Sequence, residues 1–189
     1  HAMDMLRQQV RPESRIGTWI INGGTASNVI PATGELEVTV RHTERDYLNG
    51  LSEQIKKIFE GAALCTGTTV DVEFYGNPYD DMNQNHRGTH LIEEVMTDMG
   101  LDFEPGPADI GGSSDIGNVS YQCAAFHPKL RLAGPDKVCH AKEFADAMLE
   151  PTIEQTIVDG ANIIGGTLLR LVENPTVLEE IVAEFNATK

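Results

Sequence analysis

Between Leu36 and Arg41 apolar and polar residues alternate strictly, Leu36, Val38 and Val40 against Glu37, Thr39 and Arg41. A period of two is the pattern of a β-strand with one face buried, and it places Arg41 on the polar face. The nine residues Gly23-Gly24-Thr25-Ala26-Ser27-Asn28-Val29-Ile30-Pro31 lie in front of it. They read as a glycine-relaxed loop, with Pro31 at the turn because proline cannot donate to a ladder. Ile16 to Ile21, mostly apolar and holding the only tryptophan, Trp19, is a second short strand. An amide (Asn28) and a guanidinium (Arg41), set by loop and strand, could bind a carboxylate or a peptide carbonyl. The simpler reading of the spacing is a hairpin whose Asn28 satisfies its own loop and whose Arg41 is solvated.

The rest of the chain divides by period. Met3 to Val10 reads as the end of a helix closed before Pro12. Thr43 is expected to cap a helix, with Asp46 as a weak capping box. Tyr47, Leu48, Leu51, Ile55, Ile58, Phe59 and Ala62 then form its apolar face. Val70, Val72 and Phe74 alternate with Asp71, Glu73 and Tyr75, which predicts a third strand. Helix–strand–strand–helix–strand is a ferredoxin-like βαββαβ unit without its first strand. The polar, turn-rich run from Asn77-Pro78 to Asn85 marks a domain boundary, giving domains 1–80 and 81–189. Beyond it the sequence predicts a helix over Thr89 to Met99, a loop from Pro105 to Gly117, a buried strand over Val119 to Phe126, and turns at Pro128 and Pro135. Pro151 suits the first position of a long helix carrying Ile153, Ile157, Ala161, Ile164, Leu168 and Leu171, with Gly165-Gly166 allowing close packing. Asn174-Pro175 opens a last amphipathic helix with Val177, Leu178, Ile181, Val182 and Phe185 inward. The expected class is α/β, with an α+β first domain.

Charge narrows the function classes. Fourteen basic residues against 29 acidic ones give a net charge of −15 over 189 residues. No basic cluster stands against that excess, which argues against nucleic-acid binding. No apolar run reaches the length of a membrane span. Cys65, Cys123 and Cys139 are odd in number and widely spaced, which suits a reducing cytoplasm better than a disulfide framework.

Among candidate chemical groups, His140 follows a Pro/Gly-containing turn and shortly precedes a long helix, where a neutral imidazole could ligate zinc. A lone histidine is more often a capped or partly exposed side chain. Ser113-Ser114 has no G-x-S-x-G elbow and no predictable base. The Gly111 to Gly117 loop could cradle an anion through backbone N–H groups, but it lacks the lysine of a P-loop. Glu93 and Glu94 diverge by about 100° on a helix and read as a solvated edge. His86, His90 and His127 read as surface or turn residues.

The loop from Gly23 to Pro31, followed by Val40-Arg41, resembles the lid-domain signature of the zinc-dependent aminoacylase and carboxypeptidase G family. That family includes the succinyl-diaminopimelate desuccinylases and aminobenzoyl-glutamate hydrolases. The 13 positions separating Asn28 from Arg41 agree with its pattern. Gly112-Ser113-Ser114-Asp115-Ile116-Gly117-Asn118-Val119-Ser120, and His140 with Glu143-Phe144, resemble its C-terminal half. The closest branch is that of Xaa-Arg or β-alanyl-lysine dipeptidases and aminobenzoyl-glutamate hydrolases. The resemblance implies an α/β catalytic domain interrupted by a ferredoxin-like lid, homodimers paired through the lids, and two zinc ions that activate water for attack on the amide of a small acylated or dipeptide substrate. It further implies that Asn28 and Arg41 bind substrate, that Gly112, Ser113, Ser114 and Asp115 line the pocket, and that His140 is a metal ligand. The family's H-x-D motif, bridging aspartate, general-base glutamates and further acidic ligand lie upstream of the matched stretch, so no catalytic residue is assigned. On this reading the chain is the C-terminal part of such a hydrolase and is inactive alone. The alternative is a non-catalytic dimerisation or interaction module on the same scaffold.

Overall fold

The computed structural model describes residues 1–105, 112–134 and 137–188. Gly111 and the Pro135 turn lie outside the described residues. The chain forms two compact units, His1–Asp81 and Met82–Lys189.

In the first unit α1 (Ala2–Arg7) precedes an antiparallel ribbon of β1 (Arg15–Asn22) and β2 (Glu35–Arg41), and α2 (Arg45–Thr66) follows. The ribbon runs from Arg15 opposite Arg41 to Asn22 opposite Glu35, with an irregularity between Ile20 and Asn22. Helix α2 packs on β2 and α1. It buries Leu51 and Ile55, one turn apart, as its helical period requires. Gly67 ends α2 in the left-handed conformation at φ 68°, and its N–H closes back on Ala63 and Leu64.

The start of α2 differs from the expected cap. Glu44 is the N-cap and makes no side-chain cap bond. Instead the Arg45 N–H donates to Asp81 Oδ1 at 3.3 Å, and the Arg45 guanidinium pairs with Asp80 at 2.8 Å. A carboxylate 36 residues away thus does the work expected of Thr43 and Asp46. A polar cluster also holds this corner. Ser14 Oγ lies 3.1 Å from His42 Nδ1, and the His42 ring rests 4.2 Å from that of Tyr47. The Arg11 guanidinium sits over the other aromatic partner, 4.4 Å from the Tyr47 centroid.

No strand forms over residues 70–75, contrary to the alternation there. An extended segment becomes a strand only by pairing, and the described sheet contains β1 and β2 alone. In this segment the Tyr75 hydroxyl is hydrogen-bonded to Glu37, whose carboxylate raises the phenol above its ordinary range.

The second unit is helical. Its core joins α3 (His86–Asp98), α6 (Thr152–Glu173) and α7 (Pro175–Thr188), with the short α4 (Ile116–Ser120) and α5 (Lys142–Ala147) between. Ile92, Met96 and Ile163 form its centre, flanked by Phe126, Leu130 and Phe103. Gly166 lets α6 approach α3 until a Cβ there would meet Val95 at 3.0 Å; Gly165 faces open space. Arg170 on α6 bridges to Glu94 and Asp98 on α3. Glu94 is therefore an inter-helix ion-pair partner rather than a solvated edge, and His90 lies within 3.5 Å of both Glu93 and Glu94.

The buried strand expected over Val119 to Phe126 is replaced by α4 and a turn. Ser120, fully buried, explains why. Its Oγ donates to Gly117 O at 2.6 Å, closing a helical turn, and accepts from Asn83 N at 2.8 Å. Local side-chain bonding of this kind competes directly with a β ladder. Among the described residues the second unit has no strand, so the class is one of helices with a small two-stranded sheet. None of the described helices is long and apolar enough to cross a membrane.

Candidate functional site

The residues singled out in the sequence fall into two sets, one in each unit. In the first unit Asn28 sits in the exposed loop joining β1 to β2. A turn in which Val29 N donates to Ala26 O at 3.4 Å shapes the loop around it. The loop's entry is secured by Asn22, not Asn28: Asn22 Oδ1 accepts from Gly24 N at 3.1 Å. Gly24 has φ 104° and abuts the Pro31 ring, so the glycine and the proline together fold the loop back. Arg41 lies at the opposite end of the ribbon, across from Arg15. The seven strand residues from Glu35 to Arg41 span roughly 20 Å at the usual rise. The ribbon therefore carries the amide at one end and the guanidinium at the other and does not bring the two together.

In the second unit Gly112, Ser113 and Asp115 are exposed ahead of α4, and Ser114 is half-buried. Ser114 Oγ accepts from Ile116 N at 3.4 Å and lies 3.5 Å from Asp115 Oδ1. Ser114 thus spends its hydroxyl on the turn into α4, which leaves Ser113 and Asp115 as the groups presented outward.

His140 is exposed and has φ 72°, the one positive φ at a non-glycine residue among those described. It is the third residue of a turn in which Ala141 N donates to Val138 O at 3.2 Å, and α5 begins two residues later, stiffened by a Lys142–Asp146 pair at 2.6 Å. A left-handed backbone at a residue with a Cβ costs on the order of 1 kcal/mol, and such strain collects where a side chain is needed in one direction. Replacing the residue should separate these effects. His140→Gly is expected to fold normally and to gain up to about 1 kcal/mol in urea unfolding. A loss of stability would mean that the imidazole serves packing rather than ligation.

A resident metal needs several donors converging on one point. Among the described residues no group of three or more His, Cys, Asp or Glu side chains is arranged to hold one. His140 and the groups around it therefore do not by themselves fit a catalytic zinc centre. Two buried polar residues with extensive bonding, Asn85 and Ser120, have no role of their own in the sequence reading, where they only close the boundary run and the Gly112 motif. Asn85 is a residue type favoured at helix N-caps, but the helix expected from Thr89 begins at His86, directly after it, and nothing local reveals how deep it lies.

No family model matches the chain. It is 30% identical over 186 residues to an Xaa-Arg dipeptidase of Mus musculus, covering 97% of this chain and 43% of the relative. The Xaa-Arg dipeptidase of Homo sapiens is 27% identical over 97% of this chain and 42% of its own length. An N-acetyldiaminopimelate deacetylase of Leuconostoc citreum (strain KM20) is 32% identical over 90 residues, 47% of this chain and 23% of the relative. The chain thus spans less than half the length of the curated relatives that match it almost from end to end.

Proposed function

Because the chain belongs to the amidohydrolase family of peptidases that includes Xaa-Arg dipeptidases, N-acetyldiaminopimelate deacetylases and aminobenzoyl-glutamate hydrolases, we propose that it forms the substrate-binding part of a hydrolase cleaving the amide bond of N-acyl amino acids or dipeptides. The observation that carries this reading is the continuous similarity to the mouse relative over 97% of the chain. Arg41 would grip a substrate carboxylate through its planar fork of donors, and Asn28, at the other end of the ribbon, would hold a carbonyl of a separately bound substrate, since roughly 20 Å exceeds the reach of one dipeptide. Ser113 and Asp115, presented ahead of α4, would line the pocket with Gly112 and Ser114, and His140 would supply one metal ligand from its strained turn. Among the described residues the donors are too few to hold the zinc that the complete enzyme would use for amide hydrolysis. The chain alone is therefore inactive, and the remaining ligands and the general base come from polypeptide that it does not contain. Its exposed, free cysteines fit work in a reducing cytoplasm.

Sequencing the coding region upstream of the first codon tests this reading. An in-frame segment encoding an H-x-D motif supports it, and a start at Met3 with no such segment overturns it.

A second reading, a non-catalytic pairing module, draws on the ribbon. Among the described residues β1 pairs with β2 alone, and Trp19, Ile20 and Ile21 are exposed along it, Trp19 by 63%. An open, apolar strand invites pairing with another chain. Both readings expect a homodimer through residues 1–80. Sedimentation at high concentration should show the dimer, and substituting Ile20 by lysine should shift it to monomer. A wild-type monomer at every concentration would count against pairing here.

A further inference from the structure

The ribbon has a covered face and an open one. Ser14 is buried and Ile16, Val38, Val40 and His42 are half-buried on the first, where the His42 ring meets Tyr47 of α2. Arg15, Gly17, Trp19, Thr39 and Arg41 alternate with them and are exposed on the second. Arg15 is the register partner of Arg41, so the two side chains leave the same face with Cβ atoms about 5 Å apart. Like charges set directly across a ladder repel each other.

Arg15 is held by backbone carbonyls rather than by a carboxylate. Its Nη1 donates to Pro12 O at 2.6 Å and to Ser14 O at 2.8 Å. Both bonds use one nitrogen, and among the described residues nothing engages the Nε–Nη2 edge. That edge is a planar fork of two parallel donors, the geometry that a carboxylate accepts. One pair further out, Ser14 Oγ lies 3.1 Å from His42 Nδ1 and keeps this end of the ribbon in register. One pair inward on the open face, Gly17 stands opposite Thr39. A Cβ at Gly17 would meet only Thr39, at 3.9 Å, so the floor beside the guanidinia is low. The exposed indole of Trp19, roughly 13 Å from Arg15 at the usual rise, bounds that floor.

We propose that Arg15 is a second arm of the carboxylate grip assigned to Arg41. The end of the ribbon then holds the α-carboxylate of a small N-acyl amino acid or dipeptide between two guanidinia. The inference rests on the role given to Arg41 above. Three observations select the ligand. The anchored fork of Arg15 matches a carboxylate, and an anion between the two guanidinia relieves their repulsion. A chain of net charge −15 attracts an anion only where its cations are concentrated. The low floor over Gly17, ending at Trp19, admits a small side chain or acyl group.

The test is a titration of the full chain with N-acetyl-L-alanine, followed through the Nε–H resonances of Arg15 and Arg41. Both signals should shift together and saturate. Arg15→Ala should weaken binding about tenfold, the worth of one charge-assisted hydrogen-bonded contact. Arg15→Lys keeps the charge without the fork and should also bind several-fold more weakly. Lys57→Ala, which removes an exposed charge from α2, should bind as wild type. N-acetyl-L-alaninamide, which lacks the carboxylate, should not bind. Wild-type affinity in either Arg15 variant, equal binding of the amide, or no saturable binding by the wild type overturns the inference. Should Arg15→Ala fail to fold, Arg15→Lys decides alone. If Arg41→Ala abolishes binding while neither Arg15 variant changes it, the second arm falls and the reading of Arg41 stands. Binding is read without hydrolysis, so failure of the hydrolase reading in its own upstream test is a separate result.

Discussion

Gly88→Ala is expected to destabilise the second unit by about 2–3 kcal/mol, the upper range for overpacking a filled core. A Cβ at this position would lie 2.0 Å from Phe126 Cε1 and 2.1 Å from Cζ. Gly88 is itself buried, and Phe126 packs against the Ile92–Met96–Ile163 core, so the ring has little room to withdraw. For a unit of this size the melting temperature should fall by roughly 10 °C. Two comparisons identify the cause. Gly50→Ala, in α2, meets nothing within 4 Å and should be neutral or stabilising by up to about 1 kcal/mol, as helix propensity dictates. Phe126→Leu should destabilise the wild type but recover part of the loss in the Gly88→Ala background. Additive losses in that double variant would show that the ring is not what the methyl group meets.

Asn85→Ala should destabilise the same unit by about 3 kcal/mol, a cap loss together with a stranded buried carbonyl. Asn85 is 3% exposed and works in two directions. Its Oδ1 accepts from Gly88 N at 2.9 Å, which caps α3, and its Nδ2 donates to Ile181 O at 2.9 Å, which fastens α3 to α7. The same junction is reinforced by Glu184, which accepts from the backbone N–H groups of His86 and Arg87, both at 2.8 Å. Asn85→Asp distinguishes the two roles. It retains the cap acceptor but sets a carboxylate against a carbonyl, so it should destabilise the α3–α7 junction while α3 still begins at His86. Hydrogen exchange at Gly88 and along α7 reads the two effects separately. If the two variants melted alike, with α7 unaffected by both, the Ile181 bond would carry no weight.

Those two residues also mark where the sequence was legible and where it was not. Helices α2, α3, α6 and α7 show through their apolar period because each buries one stripe, and β1 and β2 show through alternation and the Gly-Pro loop between them. Residues 70–75 have the right alternation but lack a neighbour, and pairing is not a local property. Val119 to Phe126 has enough apolar residues for a strand, but Ser120 and Asn83 bind the backbone into a turn instead. Thr43 was the local candidate to cap α2, yet Asp81, distant in sequence, satisfies the first turn. Short α5 has no apolar period to announce it, and Asn85's depth follows from α7, a hundred residues downstream. Of the candidate site, Asn28, Arg41, Gly112, Ser113, Ser114, Asp115 and His140 were nameable as a set only through the resemblance to a known family. The left-handed backbone at His140, and the separation of Asn28 from Arg41 along the ribbon, became visible only in three dimensions.

Zinc content and amide hydrolysis, measured together on chain verified by intact mass, test the central claim most directly. Metal analysis after equilibration with zinc should find no stoichiometric tightly held ion, and a panel of Xaa-Arg dipeptides and N-acetyl amino acids should remain uncleaved above the blank. Two zinc ions retained per chain, with turnover that a chelator abolishes and zinc restores, would contradict it.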